Sequence, residues 1–232
     1  MIYQLWYWPE VPGRGEFVRL ALEAGRIAYR DCARMDGDML GDLRAGRDHA
    51  PFAPPYLIAG RQVIGQTANI LLFLGEAHGL APRSISGRLW VNQVQLTIAD
   101  AVAEAHDVHH PVDAGAYYED QKPEATRRAA AFRTTRMPKY LDWFEQTLER
   151  QGEWLGGGRH WSYADLSLFQ LIAGLSFAFP KRMARLARSH TLVMTLHQRV
   201  AALPELAGYL ASDRRVGFGD GIFRHYPELD GA

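Results

Sequence analysis

The chain has 232 residues, 47% of them hydrophobic, enough for one large domain or two small ones with a real core. Lys plus Arg is 26 and Asp plus Glu is 26, so the formal charge is zero, which argues against nucleic acid and an anionic membrane surface as partners. The single cysteine, Cys32, excludes an internal disulfide, a CxxC redox pair and a multi-cysteine metal site, and fits a reducing compartment.

The opening residues, MIYQLWYWPE, show neither the basic segment nor the apolar run of a signal peptide. Residues 2–7 are rich in aromatic and β-branched side chains and stop at Pro9, which predicts a strand. Pro9, Pro12, Gly13 and Gly15 predict a loop. Over 14–25, Phe17, Val18, Leu20, Ala21, Leu22 and Ala24 fall at helical spacing before Gly25. Residues 27–33 read as a second strand, and the polar stretch 36–50 as a short irregular helix or loop. Two short apolar runs around Ala59-Gly60-Arg61 predict a hairpin, and 66–79 a helix.

From residue 81 the character changes. A linker, APRSISG, leads into segments of helical periodicity at 86–110, 122–150, 162–179 and 191–212. Pro138 predicts a kink or a new turn in the second of these. The apolar run 166–179 is too short for a bilayer, which needs about 20 residues, and it stops at Pro180. The expectation is a soluble, cytoplasmic protein. Residues 1–80 would form an α/β domain of order βαβ-ββα, and residues 86–232 an all-α domain. Ser162 and Asp165 resemble a capping box at the start of the third helical segment.

A βαβ-ββα unit with an X-Pro before its hairpin is the outline of a thioredoxin-like fold. There the residue before the proline exposes backbone to which an extended peptide can pair. Pro55, preceded by Pro54, is the candidate proline, and a cis bond suits it. The helix beginning at Gln66-Thr67 offers free N–H groups, a positive dipole end and two side-chain donors, a natural seat for a carboxylate. The ligand this suits is a short peptide with a terminal carboxylate.

The stretches LWYWPEVPGRGEFVRLAL, PPYLIAGRQVIGQTANILLFLGEAHGL, YLDWFEQTLE and WLGGGRHWSYADLSLFQLI, in this order, resemble the cytosolic glutathione transferases across nearly the whole chain. The tyrosine ending the first strand is similar to the tyrosine-type branch (mu, pi, alpha and sigma classes). The resemblance implies that Tyr7 holds the glutathione sulfur as thiolate, and no Ser, Thr or Cys lies between residues 8 and 16 to compete. It implies that Gln66 and Thr67 hold the γ-glutamyl carboxylate, that Asp100 reaches the γ-glutamyl ammonium of the neighbouring subunit in a homodimer, and that Asp165 is a structural cap. Arg14 would raise the local positive potential or pair with a carboxylate. The glycyl carboxylate needs a cation from 36–50, Arg44 or Arg47, and the spacing does not choose.

One departure stands out. The family residue before the cis proline offers both N–H and C=O to the peptide. Pro54 has no N–H, so one bond is lost and affinity falls by roughly tenfold at most. Trp8, Val11 and Pro12 on one side, and the helix bearing His106 and His110 on the other, would frame an apolar electrophile pocket, with Phe218, Ile222, Phe223 and Tyr226 closing over it or merely packing. His106 and His110 stand one helical turn apart, a metal-capable spacing, but no third ligand is marked out and no metal is expected. The implied function is a glutathione transferase acting on apolar electrophiles with glutathione as co-substrate. A glutathione-dependent isomerase or peroxidase, and a non-catalytic binding module of the same fold, stay open.

Overall fold

The computed structural model describes residues 2–35 and 37–231. Strand β1 (Tyr3–Trp6) leads through the Pro9–Gly13 loop into α1 (Gly15–Ala24), whose first turn is fixed by the Glu16 N–H bonding to Pro12 O. Strand β2 (Tyr29–Asp31) is shorter than the predicted 27–33, because Cys32–Met35 winds into a 3-10 turn. The polar stretch after it forms only the five-residue helix α2 (Met39–Leu43), capped by Asp38 accepting from Gly41 N at 2.9 Å. Strands β3 (Tyr56–Ala59) and β4 (Gln62–Gly65) form the predicted hairpin, and helix α3 (Thr67–His78) ends on Gly79 in the left-handed region. The sheet order is β2-β1-β3-β4, with β1 parallel to β2 and antiparallel to β3. This is the predicted thioredoxin-like βαβ-ββα arrangement.

All later elements of the described residues are helical. Helix α4 (Ile85–Asp107) starts on Ser84, which accepts from Gly87 N. The predicted helix over 122–150 is three pieces: α5 (Lys122–Ala131), a π-helical turn (Phe132–Arg136) and α6 (Met137–Gln151). Pro138 cannot donate to the preceding turn, and the ladder widens just before it. Helix α7 (Tyr163–Ala178) is buried on nearly every side, as its uniformly apolar run requires. Asp165 closes a capping box with Ser162 and also accepts from Leu155 N at 2.8 Å, all fully enclosed. Helix α7 ends where the 162–179 reading ends it, and Pro180 opens a further short helix, α8 (Pro180–Leu186), at a first-turn place where a missing N–H is harmless. Pro204 likewise divides the expected 191–212 helix into α9 (Thr191–Ala201) and α10 (Pro204–Leu210). A four-residue turn of helix, α11 (Pro227–Asp230), ends the described chain.

One apolar core runs through both halves. It joins Phe17, Leu20 and Leu74 to Val91, Ile98, Leu168 and Ile172 without a break. A second, smaller cluster of Trp6, Cys32, Met39 and Tyr56 fills the other face of the sheet. No helix among the described residues is long and apolar enough to cross a membrane.

Candidate functional site

Tyr7 follows β1 immediately, so it stands at the C-terminal end of an interior strand, where it is buried. Its hydroxyl accepts the backbone N–H of Arg14 at 2.9 Å. An oxygen that accepts there keeps its own O–H free to donate elsewhere. Burial pushes the Tyr7 phenol up, while the Arg14 N–H and the Arg14 and Arg19 charges pull it back. The group therefore stays protonated, a donor, at neutral pH.

The Gly13-Arg14-Gly15 step makes this contact possible. A Cβ on Gly13, where φ is +39°, would overlap the Tyr7 oxygen, and one on Gly15 would lie 2.5 Å from Tyr7 Cγ and Cδ1. Only glycines on both sides of Arg14 let the loop lie flat on the phenol. The peptide of Arg14 also reaches the second candidate group, since the Thr67 hydroxyl stands 3.5 Å from Arg14 O. A narrow cleft lined by Arg14, Phe17, Thr67, Gln95, Ile98 and Val102 continues from there between α1, α3 and α4.

The bond between Pro54 and Pro55 is cis, at the start of β3. Gln66 is exposed and has a φ of +68°, outside the helix that begins with Thr67. The structure thus brings Tyr7, Arg14 and Thr67 into one contact set. Asp100 lies apart, exposed on α4. Of the two candidate cations, Arg47 is bound to Asp42 at 2.7 Å, an acid that also accepts from the Tyr56 hydroxyl at 2.6 Å. Arg44 is exposed and pairs with no carboxylate among the described residues.

Of the pocket candidates, Pro12 is buried, Val11 half-buried and Trp8 largely exposed. The rings of His106 and His110 are 5.1 Å apart, with His109 between them at 5.1 and 4.7 Å. His109 donates its Nε2–H to Ile222 O at 2.9 Å. Burial, with Arg14 next, holds His106 down to about 4, and burial holds His109 down to about 3, so both are neutral. Among the described residues no group of three or more His, Cys, Asp or Glu is arranged to hold a metal ion. The aromatic tail is anchored by packing: Phe218 stacks on Phe177, Tyr226 on Tyr118, and Phe223 fills the space over Gly174. Its Gly221 approaches the loop after β1, against Val11.

The sequence reading missed the charges beneath the phenol. Arg19 is fully buried with its guanidinium carbon 5.9 Å from the centre of the Tyr7 ring. Its Nε donates to Asp31 at 2.6 Å and one of its terminal nitrogens lies 3.5 Å from Glu16. Glu16, equally buried, also takes bonds from Tyr209 at 2.7 Å and from Arg215. Burial pushes the Glu16 carboxyl up, against the pull of Arg215, Arg19 and Tyr209. A charged Arg19 within an otherwise apolar stretch of helix was the available signal.

Residues 106–213 match the family model described as glutathione S-transferase, C-terminal domain. This segment, just under half of the chain, is similar to the C-terminal domain of the glutathione S-transferases. Over 216 residues the chain is 26% identical to glutathione S-transferase P 1 of Xenopus laevis, spanning 92% of this chain and 93% of that protein. The pi-class glutathione S-transferase of Onchocerca volvulus superposes with a TM-score of 0.71 at 22% identity, over 90% of this chain and 92% of that one. The prostaglandin synthase D of Nilaparvata lugens gives 0.72 at 16% identity, over 94% and 100%. The transferase fold is therefore present along the chain, and the kinship supports glutathione transferase-type chemistry.

Proposed function

We propose that the chain is a tyrosine-type glutathione transferase that presents the glutathione sulfur as thiolate to an electrophile. The observation that carries this is the Arg14 peptide, bonded to the Tyr7 oxygen through its N–H and beside the Thr67 hydroxyl at its carbonyl. It fixes a free phenolic proton near a carboxylate seat. Thr67 and Gln66 would hold the γ-glutamyl carboxylate, and the C=O of Pro54 the cysteinyl segment. Arg44, free of any acidic partner among the described residues, is the better of the two cations for the glycyl end.

In the reaction the thiol proton leaves to solvent. The Tyr7 O–H donates to the sulfur and favours its charged form. The thiolate then attacks the electrophilic carbon, the C–S bond forms, and a halide or other leaving group departs with its electron pair. Should the phenol lower the thiol by about two units from its ordinary value near 8.5, the thiolate fraction at pH 7 rises about 25-fold. Tyr7→Phe should return the thiol to about 8.5 and reduce conjugation of a chromogenic aryl halide at pH 7 by a similar factor. Thiolate absorbance against pH reads this directly; an unmoved titration and unchanged turnover would rule the role out. Pro54, lacking an N–H, favours a second reading as a non-catalytic binding module, which absence of glutathione binding by calorimetry at millimolar ligand would support.

The homodimer belongs to the same proposal. Phe52 is 96% exposed before β3, and α4 presents Ile85, Leu89 and Leu96 to solvent at i, i+4 and i+11. A second copy would cover these groups and bring Asp100 to its neighbour's site. Phe52→Asp should shift sedimentation toward the monomer, whereas an unchanged dimer would remove Phe52 from the interface.

A further inference from the structure

Around the end of α4, the wall expected to be apolar carries positive charge. The turn Gly221–Arg224 ties three segments together there. Gly221 backs onto Val11, its would-be Cβ 3.5 Å away. Ile222 O takes the His109 proton, and Arg224 donates Nε–H to Gly221 O at 3.2 Å. Arg224 and Arg14 are both half-buried, and neither pairs with a carboxylate among the described residues. Their charges reach the same ring: both oppose protonation of His106, and Arg224 also opposes that of His109 and His110. Two acids act against these charges, Asp107 at His106 and Asp113 at His110, and each has another partner: Asp107 lies 3.9 Å from Arg128, and Asp113 accepts from Gly115 N at 2.7 Å. The Nδ1 atoms of His109 and His110 are enclosed and unpartnered.

We propose that this site selects anionic electrophiles, aryl or alkenyl compounds bearing a carboxylate, with Arg224 as the specificity-determining anchor and Arg14 beside it. The inference rests on the transferase reading above. In a purely apolar pocket a carboxylate substrate is repelled by the thiolate it must meet and loses its hydration besides. A half-buried guanidinium without a counter-ion reverses both penalties, and its planar fork matches a carboxylate.

The test compares a chloronitrobenzoate with the chloronitrobenzamide of the same substitution, which differ in charge but hardly in size. In each, the C–Cl bond breaks, the C–S bond forms and chloride leaves. The unaltered protein should favour the carboxylate by about tenfold in kcat/KM, the effect of one charge-assisted contact. Arg224→Gln should erase the preference and Arg224→Lys retain most of it. Equal kcat/KM for the two compounds, or a preference that survives Arg224→Gln, overturns the inference. If neither compound is turned over, it is the transferase reading that fails, and calorimetry with the same two compounds decides the anchor separately. Tighter binding of the carboxylate that Arg224→Gln abolishes supports it, and equal binding overturns it.

Discussion

Gly15→Ala isolates the placement of the phenol from everything else. Alanine is the better helix former by about 1 kcal/mol, and Gly15 has an ordinary helical backbone, so local energetics favour the change. The new Cβ, however, would stand 2.5 Å from Tyr7 Cγ and Cδ1 and 2.8 Å from Tyr7 Cβ. Carbon atoms in contact rest about 3.5–4 Å apart, so the ring must retreat by roughly 1 Å. Beneath it is the buried Arg19, held by Asp31 and Glu16, so there is little room to give. Overpacking of this kind costs about 1–3 kcal/mol, partly offset by the helix gain. The fold should survive with a melting temperature lowered by a few degrees. Activity should suffer far more, because an error of about 1 Å at a reacting group can cost about 100-fold. The measurement pairs a circular-dichroism melt with the conjugation rate and thiolate titration at fixed glutathione. If the variant melts within a few degrees of the parent and conjugates within twofold of it, the Gly-Arg-Gly step does not position Tyr7.

Asp165→Asn replaces one acceptor oxygen by an amide facing the N–H of Ser162 or Leu155, both bonded to Asp165 within 2.8 Å. A loss of about 2–4 kcal/mol follows, to be read as a lower denaturant midpoint with unchanged slope, and a shift under about 1 kcal/mol would contradict it. Arg19→Met leaves the buried Glu16 and the half-buried Asp31 without their shared cation and should cost about 3–5 kcal/mol; a melting temperature within about 3 °C of the parent counts against that network. The pH dependence has a definite sign. His109, held at about 3 by burial, binds its proton in the unfolded chain but not in the folded one between pH 6.5 and 3, so its contribution is lost as pH falls through that window. Asp165, raised to about 6 chiefly by burial, acts the opposite way, gaining stability as pH falls from 6 to 3.8. His109→Gln should therefore flatten or reverse acid destabilisation near pH 5 in a melt series, and an unaltered slope would show that His109 titrates normally.

What could be read from the sequence was what neighbours in sequence decide. The aromatic strand leading to Tyr7 (Tyr3–Trp6 within the expected 2–7), the Ser162–Asp165 cap and the Gly60 hairpin depend on a few consecutive residues, and each lies where the pattern put it. The divided helices were partly legible, since Pro138 was marked and Pro204 carried the same signal. The charges around the phenol were not. Glu16 meets Tyr209 across 193 positions and Arg215 across 199, and no local period reports such a pairing. Arg224 belongs to the site only because the tail returns to His109, and Gly13 and Gly15 looked like ordinary loop residues until the Tyr7 ring was laid against them.

Those long-range contacts also say why the helical half matters to chemistry seated on the sheet. The helix α1 that carries Glu16 and Arg19 is gripped from both sides. Asp31 of β2 holds Arg19 from within the sheet unit, while Tyr209 of α10 and Arg215 beyond it hold Glu16 from the helical one. Arg215 spends its second nitrogen on Gln170 of α7, so the grip extends to a helix that is itself mostly buried. The cation under the Tyr7 ring is thus positioned by residues of both halves. A separated sheet unit would expose Glu16 to water and leave Arg19 held by Asp31 alone, weakening the field around the phenol. Joining the two halves therefore sets the electrostatic surroundings of the buried Tyr7 hydroxyl.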